Sequence, residues 1–375
     1  MTLYLTLFLV SLLLAIFEDT KLRYSCYSTL NLPRWNAAMI IIILIFACVS
    51  GFRFQLGGTD YDYYQYFYNQ INGQHDFLST IRYSEYEVGY TAFVYLCANI
   101  LHLSYNGSLV VEAFVFYALM YVGLKRYMPN WGIFLMFFMY KMFFYVTFVA
   151  MRQALTVAGF FLIMRFLEER KIWKYYASLS IVSTFHYGAL ILFFLYPIFG
   201  LKVKKEQLVL LGIAFGATTL LSDMTGSLLN VVVSVLGLPQ LADKAAGYVE
   251  DGESLNILYT IEYFVLYIMV LSNYDKIKQR FEHADFVIII YLIVLPIVTL
   301  FRSTLILVRE LPYFYPAYAI LFYYVYAVLK SRRLIFIVFV VLCLLGMLRY
   351  MELFDNGHFM EYRAWLFNPN IHFFQ

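Results

Sequence analysis

Eleven runs of about 15–25 apolar residues, each bounded by charges, divide this chain. A helix of that length spans a bilayer, and lipid accepts only structures whose backbone groups all bond within the protein. The runs lie at 2–17, 36–52, 88–103, 108–124, 131–149, 153–168, 206–222, 256–272, 284–301, 311–329 and 333–350. They predict an all-α, polytopic integral membrane protein with about 11 spans. Composition agrees. The 375 residues are 63% hydrophobic and only 14% charged, whereas soluble domains hold about 45–50% apolar and about 25% charged residues. So few charges cannot cover a water-facing surface. The same arithmetic excludes a secreted disulfide scaffold, a nucleic-acid binder and a disordered chain. Four scattered cysteines (Cys26, Cys48, Cys97, Cys343) offer no metal spacing and read as small hydrophobes. The first run has no basic region before it and no small-residue cleavage site after it, so it reads as a retained span.

The stretch 175–200 departs from the pattern. It runs for about 26 residues between Lys171/Lys174 and Lys202/Lys204/Lys205, with a break near His186-Tyr187-Gly188. Basic ends on both sides fit two half-helices, a re-entrant helical hairpin with His186 at its tip. Backbone breaks at membrane depth are tolerated only where they line a cavity or pack on protein. Basic clusters around 21–34, 168–174, 202–205, 276–280 and 330–333 are expected on the cytoplasmic side. The outer loops are then 51–87 and 223–255, flanking parts of a single transmembrane domain over 1–375. Crossing parity does not close over 88–168. The run 131–149, with Lys141 in its middle, is the preferred partial crossing.

A charge within a span is costly and marks a functional candidate. Arg152, His186, Glu112, Lys141 and Glu262 qualify, as do Arg302 and Arg309, which bracket an apolar turn. Each has a plain alternative. Arg152 can snorkel to the interface, His186 can be satisfied in a helix turn, and the others can form ion pairs or flank loops. Loop 51–87 is the richest segment. It contains Arg53, then Gly58-Thr59-Asp60-Tyr61, with Tyr64 in an aromatic run. Thr59 or Asp60 is expected to cap an amphipathic helix starting near Tyr61. The loop ends at Glu85-Tyr86-Glu87.

On this topology Arg53, Asp60, Glu87, Arg152, His186, Arg302 and Arg309 all face the outer half of the membrane. Arginine forks bind phosphate oxygens. The 36 tyrosines supply aromatic faces with hydrated tips. His or carboxylates can take a proton from a hydroxyl. The inventory suits a sugar carried on a lipid phosphate.

The motifs carry a resemblance. Arg53 with Gly58-Thr59-Asp60-Tyr61 and Tyr64 resembles the signature of the EpsG-like branch of Wzy-type polysaccharide polymerases. Glu87-Val88-Gly89-Tyr90 resembles the acidic motif that follows it. Met151-Arg152-Gln153-Ala154-Leu155 resembles a third element. Phe185-His186-Tyr187-Gly188-Ala189-Leu190 resembles a fourth, with Gly188 where the family has Ser. The four elements cover residues from about 51 to 190. Beyond them the chain matches only in general character.

The resemblance implies a glycosyltransferase of the bacterial inner (cytoplasmic) membrane. Its site would join undecaprenyl-pyrophosphate-linked oligosaccharide repeats at the outer face, feeding O-antigen, capsule or exopolysaccharide. Donor and acceptor are both lipid-linked, the bilayer is the working environment, and a chain-length regulator protein is a possible further partner. No cofactor, metal or nucleic acid is expected. Catalytic candidates are His186, Arg152 and Asp60. Substrate-binding candidates are Arg53, Tyr64, Glu87, Arg302 and Arg309. The base remains open among His186, Asp60 and Glu87. Rival readings are a lipid-linked-sugar flippase, another polyprenyl-donor transferase such as an O-antigen ligase, and a glycan acyltransferase.

Overall fold

In a computed structural model, each of the eleven apolar runs is largely helical and no β-strand forms among the described residues. Those residues are 1–24, 37–199, 204–222 and 255–375. The expected outer loop 223–255 lies outside them except for Leu255, as do Cys26, Arg34 and Lys202.

The first helices are α1 (Thr2–Tyr24), α2 (Ala37–Gly51), α3 (Thr59–Ile71), α4 (Phe77–Arg82) and α5 (Val88–Tyr95), which runs on as a π-turn over Leu96–Ile100. Then come α6 (Tyr105–Leu124), α7 (Trp131–Lys141), α8 (Met151–Glu168), α9 (Ile172–Ser183) and the short α10 (Leu195–Ile198). The remainder are α11 (Lys205–Thr218), α12 (Ile257–Ser272), α13 (Tyr274–Arg280), α14 (Ala284–Val298), α15 (Leu305–Val308), α16 (Tyr315–Val328) and α17 (Arg332–Leu353). Among the described residues, three helices, α1, α6 and α17, are long and apolar enough to cross a membrane by themselves. A fourth crossing results if α12 and α13, bent by 73°, form one span. The other apolar helices are shorter because polar or irregular residues interrupt the runs. Thus α7 ends at Lys141, whose Nζ donates to Tyr140 Oη at 2.8 Å, and the expected run 131–149 resumes only as a π-turn over Tyr145–Val149.

The chain forms two compact units, Met1–Ile198 with Arg333–Gln375, and Phe199–Arg332. In the first, α1 packs on α7 so closely that Glu18 of α1 accepts from Trp131 N at 2.7 Å and Gly132 N at 3.2 Å. A carboxylate thus satisfies two orphan donors at the start of a largely buried helix. The run 175–200 is a helical hairpin. Helix α9 stops at Ser183, and a 3₁₀ helix over Tyr187–Phe194 leads into α10. The arms are joined by Tyr175, whose hydroxyl donates to Leu192 O at 2.7 Å, and by Tyr176 stacked on Phe193.

Helix α3 is amphipathic, as its pattern predicts, with Tyr61, Tyr64, Phe67, Tyr68 and Ile71 buried. Its cap differs from expectation. Gly58, at φ 62°, is the N-cap, and Thr59 and Asp60 are already the first helical residues. Gly57 precedes it at φ 147°, with its α-carbon against the Phe148 carbonyl where a Cβ would stand 2.5 Å from the oxygen. The turn is set by backbone that only glycine adopts freely there.

The C-terminal segment straps this region. Phe54 N donates to Arg363 O at 2.9 Å and Trp365 N to Phe52 O at 3.0 Å. Further on, Ser104 N donates to Phe373 O and Gln375 N to His102 O, both at 2.9 Å. Isolated bridges Arg53–Ala364 and Leu103–Phe374 result.

In the second unit, Tyr267 donates to Leu208 O and Tyr291 to Tyr263 O, both at 2.7 Å. Phe281 stacks on Tyr324 with centroids 3.9 Å apart. Tyrosines thus tie helices together by capping main-chain carbonyls, one use for their abundance here.

Candidate active site

Glu87 is the N-cap of α5, and its buried carboxylate gathers three groups from two other elements. One oxygen, Oε2, accepts from Arg152 Nη1 at the start of α8. The other, Oε1, lies 3.2 Å from His186 Nδ1 and accepts from Tyr187 N at 3.2 Å. The hairpin break therefore docks on the start of α5. Gly89 N donates to Thr184 O at 2.8 Å, and a Cβ on Gly89 would stand 2.3 Å from Thr184 Oγ1. Only a glycine allows that approach, which explains the small residue two places after the acid.

Arg152 is held from every side but one. Its guanidinium lies over the Tyr86 ring at 4.1 Å, and Nε points to Tyr64 Oη at 3.5 Å. Nη2 makes no hydrogen bond to a described residue, and 25% of the side chain is exposed. Tyr64 and Tyr86 pack 5.9 Å apart, and Phe67 lies 4.4 Å from Tyr86. Helix α3 thus forms an aromatic wall behind the guanidinium, and cation–π contact adds to the ion pair.

The electrostatics follow from the geometry. Burial pushes the Glu87 carboxyl up, but the His186 hydrogen bond and the Arg152 charge outweigh it and hold the group at about 2. A carboxylate only accepts hydrogen bonds, so His186 Nδ1 carries the proton shared with Glu87. His186 Nε2 makes no bond to a described residue, and 26% of this side chain is exposed. Burial pushes the Tyr64 hydroxyl up to about 12, against the pull of Arg152, so it stays a neutral donor or acceptor.

Of the residues expected at the site, the structure joins Tyr64, Glu87, Arg152 and His186. Asp60 is exposed on the first turn of α3, and its charge reaches the Tyr86 hydroxyl. Arg53 is buried elsewhere in the unit. Its Nη1 donates to Ser50 O at 2.6 Å and its Nε to Leu56 O at 3.3 Å, with the guanidinium 5.2 Å from the Phe148 ring centre. Arg302 and Arg309 belong to the second unit. Tyr86 and the Tyr187 N–H join the site without being among the residues expected there. Tyr86 directly precedes Glu87, and an aromatic beside a motif acid was the available signal. Among the described residues, no three His, Cys, Asp or Glu side chains gather as a metal site.

These features define an all-helical membrane protein in which one buried carboxylate orders an arginine and a histidine at a partly open site. A family model described as the EpsG family matches residues 36–364, and the chain belongs to that family. It is accordingly a membrane protein of polysaccharide biosynthesis. No curated protein and no solved structure matches the chain.

Proposed function

We propose that the chain is a Wzy-type polymerase, a glycosyltransferase that joins lipid-pyrophosphate-linked oligosaccharide repeats at the outer face of the bacterial cytoplasmic membrane. The observation that carries this reading is the sharing of Glu87 between Arg152 and His186. That arrangement holds on one carboxylate a guanidinium whose Nη2 and an imidazole whose Nε2 bond to no described residue.

The chemistry needs both. The acceptor hydroxyl oxygen bonds to the anomeric carbon of the donor as the bond from that carbon to the pyrophosphate oxygen breaks. The hydroxyl proton passes to His186 Nε2, and the bonding pair leaves with the pyrophosphate. Arg152, through Nη2, stabilises the charge that builds on the leaving group, where a preorganised donor in a dry site acts most strongly. Glu87 fixes the imidazole tautomer and supports the charge His186 acquires, and it is too strongly ionised to be the base itself. Direct attack without a covalent intermediate inverts the anomeric centre. Arg302 and Arg309 are further candidates for holding phosphate, and Asp60 for orienting the acceptor sugar.

Expression in a host that makes the matching lipid-linked repeat but lacks its own polymerase tests the proposal. A ladder of glycan lengths is expected. Accumulation of single repeats alone at the outer face overturns it, and retention of anomeric configuration overturns the one-step mechanism.

A further inference from the structure

Helix α3 buries one face and leaves the other open, and the open face has an unusual make-up. Tyr63 is 64% exposed and Tyr66 62%, and neither hydroxyl bonds to a described residue. The two stand three residues apart, so their rings lie next to each other on the helix surface, about 5–6 Å apart at Cβ. Asp62, Asn69 and Gln70 are exposed beside them. The helix holds no Lys or Arg, and its first turn carries Asp60 and Asp62.

We propose that this outward face of α3 is a binding surface for the hydroxyl-rich oligosaccharide undergoing extension, an inference that rests on the polymerase reading above. The apolar C–H face of a sugar ring stacks on a tyrosine ring, while the flanking carboxylate and amide groups take and give hydrogen bonds to its hydroxyls. Two adjacent rings accept consecutive sugars and distinguish a chain from a single residue. The same helix supplies Tyr64 and Phe67 to the wall of the candidate active site. Tyr63 lies one helical turn before Phe67. The Phe67 ring packs 4.4 Å from Tyr86, which carries the Arg152 guanidinium at 4.1 Å.

A bilayer is the other occupant to weigh, because interfacial tyrosines are common in membrane proteins. The make-up of α3 argues against it. A helix lying on a membrane turns its apolar face to lipid and sets Lys or Arg on the polar face. Here the apolar face is buried against Tyr90, Tyr105, Leu109 and Leu155 of neighbouring helices. The open face carries carboxylates, which an anionic leaflet repels.

The test uses the full chain in phospholipid nanodiscs. The probe is an end-labelled fragment of a few repeats, cut from the polysaccharide the producing cell makes, with binding read by fluorescence anisotropy. Tyr63→Ala/Tyr66→Ala is expected to bind at least tenfold more weakly than the native chain, and Tyr63→Phe/Tyr66→Phe within threefold of it. In the glycan-ladder assay the double alanine variant should make the first additions but stop at short lengths. A spin label at Tyr66→Cys, with the native cysteines replaced, should meet a water-soluble nickel complex more readily than oxygen. Unchanged binding and unchanged ladder length in the alanine variant overturn the inference, as does a label bathed in lipid. Absence of any ladder from the native chain overturns the polymerase reading instead. Binding is therefore measured in Arg152→Ala as well, where transfer is lost and stacking is intact.

Discussion

Two arginines in one compact unit illustrate how differently the same side chain can serve. Arg152 is ion-paired, stacked on a tyrosine and one-quarter exposed. Arg53 is 2% exposed, makes no ion pair within 4 Å among the described residues, and bonds to two main-chain carbonyls. Both sit in motifs, Arg152 as a candidate for catalysis and Arg53 as one for holding substrate. Arg53 closes the end of α2 and fixes the turn into α3, where the carbonyls at a helix C-terminus lack internal partners. Arg152 is set against a carboxylate that leaves part of its fork open. Partnership and exposure separate a residue that shapes the site from one that can act in it.

The sharpest way to break this contrast is to remove the guanidinium of Arg152. Arg152→Ala should lower the rate of repeat addition by about 10²–10³-fold, the usual loss when one preorganised donor to a developing anion is deleted. Arg152→Lys should recover only part of it, because an ammonium keeps the charge but loses the fork. Initial rates from lipid-linked repeats, normalised to folded protein, measure both. A native-like rate in Arg152→Ala would remove the residue from the chemistry.

Glu87→Gln should have the next largest effect, on the order of 10²-fold, since an amide can present its N–H to His186 and reverse the tautomer. The same variant makes a pH prediction. The folded carboxyl sits at about 2 against its ordinary 4.5. A depressed pKa contributes stability that is present above the ordinary value and lost as pH falls through the folded one. The native chain should therefore exceed Glu87→Gln in melting temperature at neutral pH. The gap should close between about pH 4.5 and about pH 2. A gap that stays constant over that window would mean the pairing is not ionic.

Much of this contrast was readable in the sequence, and part was not. Apolar period and bounding charges located all eleven helical regions, because lipid exposure and burial both demand unbroken hydrophobic side chains. The hairpin break at His186 was visible from the basic residues at both ends and the Tyr-Gly pair. Glu87, Arg152 and His186, from three of the four motifs and up to 99 residues apart, meet at one carboxylate, and Tyr64 of the first motif reaches Arg152. The invisible part is what depends on distant backbone. The strap formed by Arg363, Trp365, Phe373 and Gln375 uses main-chain bonds that no local pattern announces. Gly58 caps α3 because the turn is set by Gly57, which packs against the Phe148 carbonyl. Helix length is likewise a weak guide here, since π-turns and polar breaks divide apolar runs that look continuous.

Tyr64 lies between the two arginine environments in effect as well as in chain order. Its hydroxyl faces Arg152 Nε at a long 3.5 Å, while its ring packs in the core of the wall. Tyr64→Phe removes only the weak bond, so a loss of about two- to fivefold in rate is expected, with unchanged melting temperature. Tyr64→Ala should also destabilise, by about 3–5 kcal/mol, because it opens a cavity beneath Tyr86 and Tyr90. Equal effects of the two variants on rate per folded molecule would show that the hydroxyl, not the ring, positions Arg152.

The smallest expected change in rate belongs to Arg53. Arg53→Met keeps the length of the stem and its contact with Phe148 but strands the carbonyls of Ser50 and Leu56. Leaving buried acceptors unpaired costs about 1–3 kcal/mol, so the variant should melt earlier and accumulate less in the membrane. The rate per folded molecule should stay within about twofold of native, because no contact joins Arg53 to Glu87, Arg152 or His186 among the described residues. Purified variant in nanodiscs, assayed below its melting temperature, separates the two effects. A specific rate as low as that of Arg152→Ala in stably folded Arg53→Met would place both arginines at the substrate. The distinction drawn from exposure would then fail.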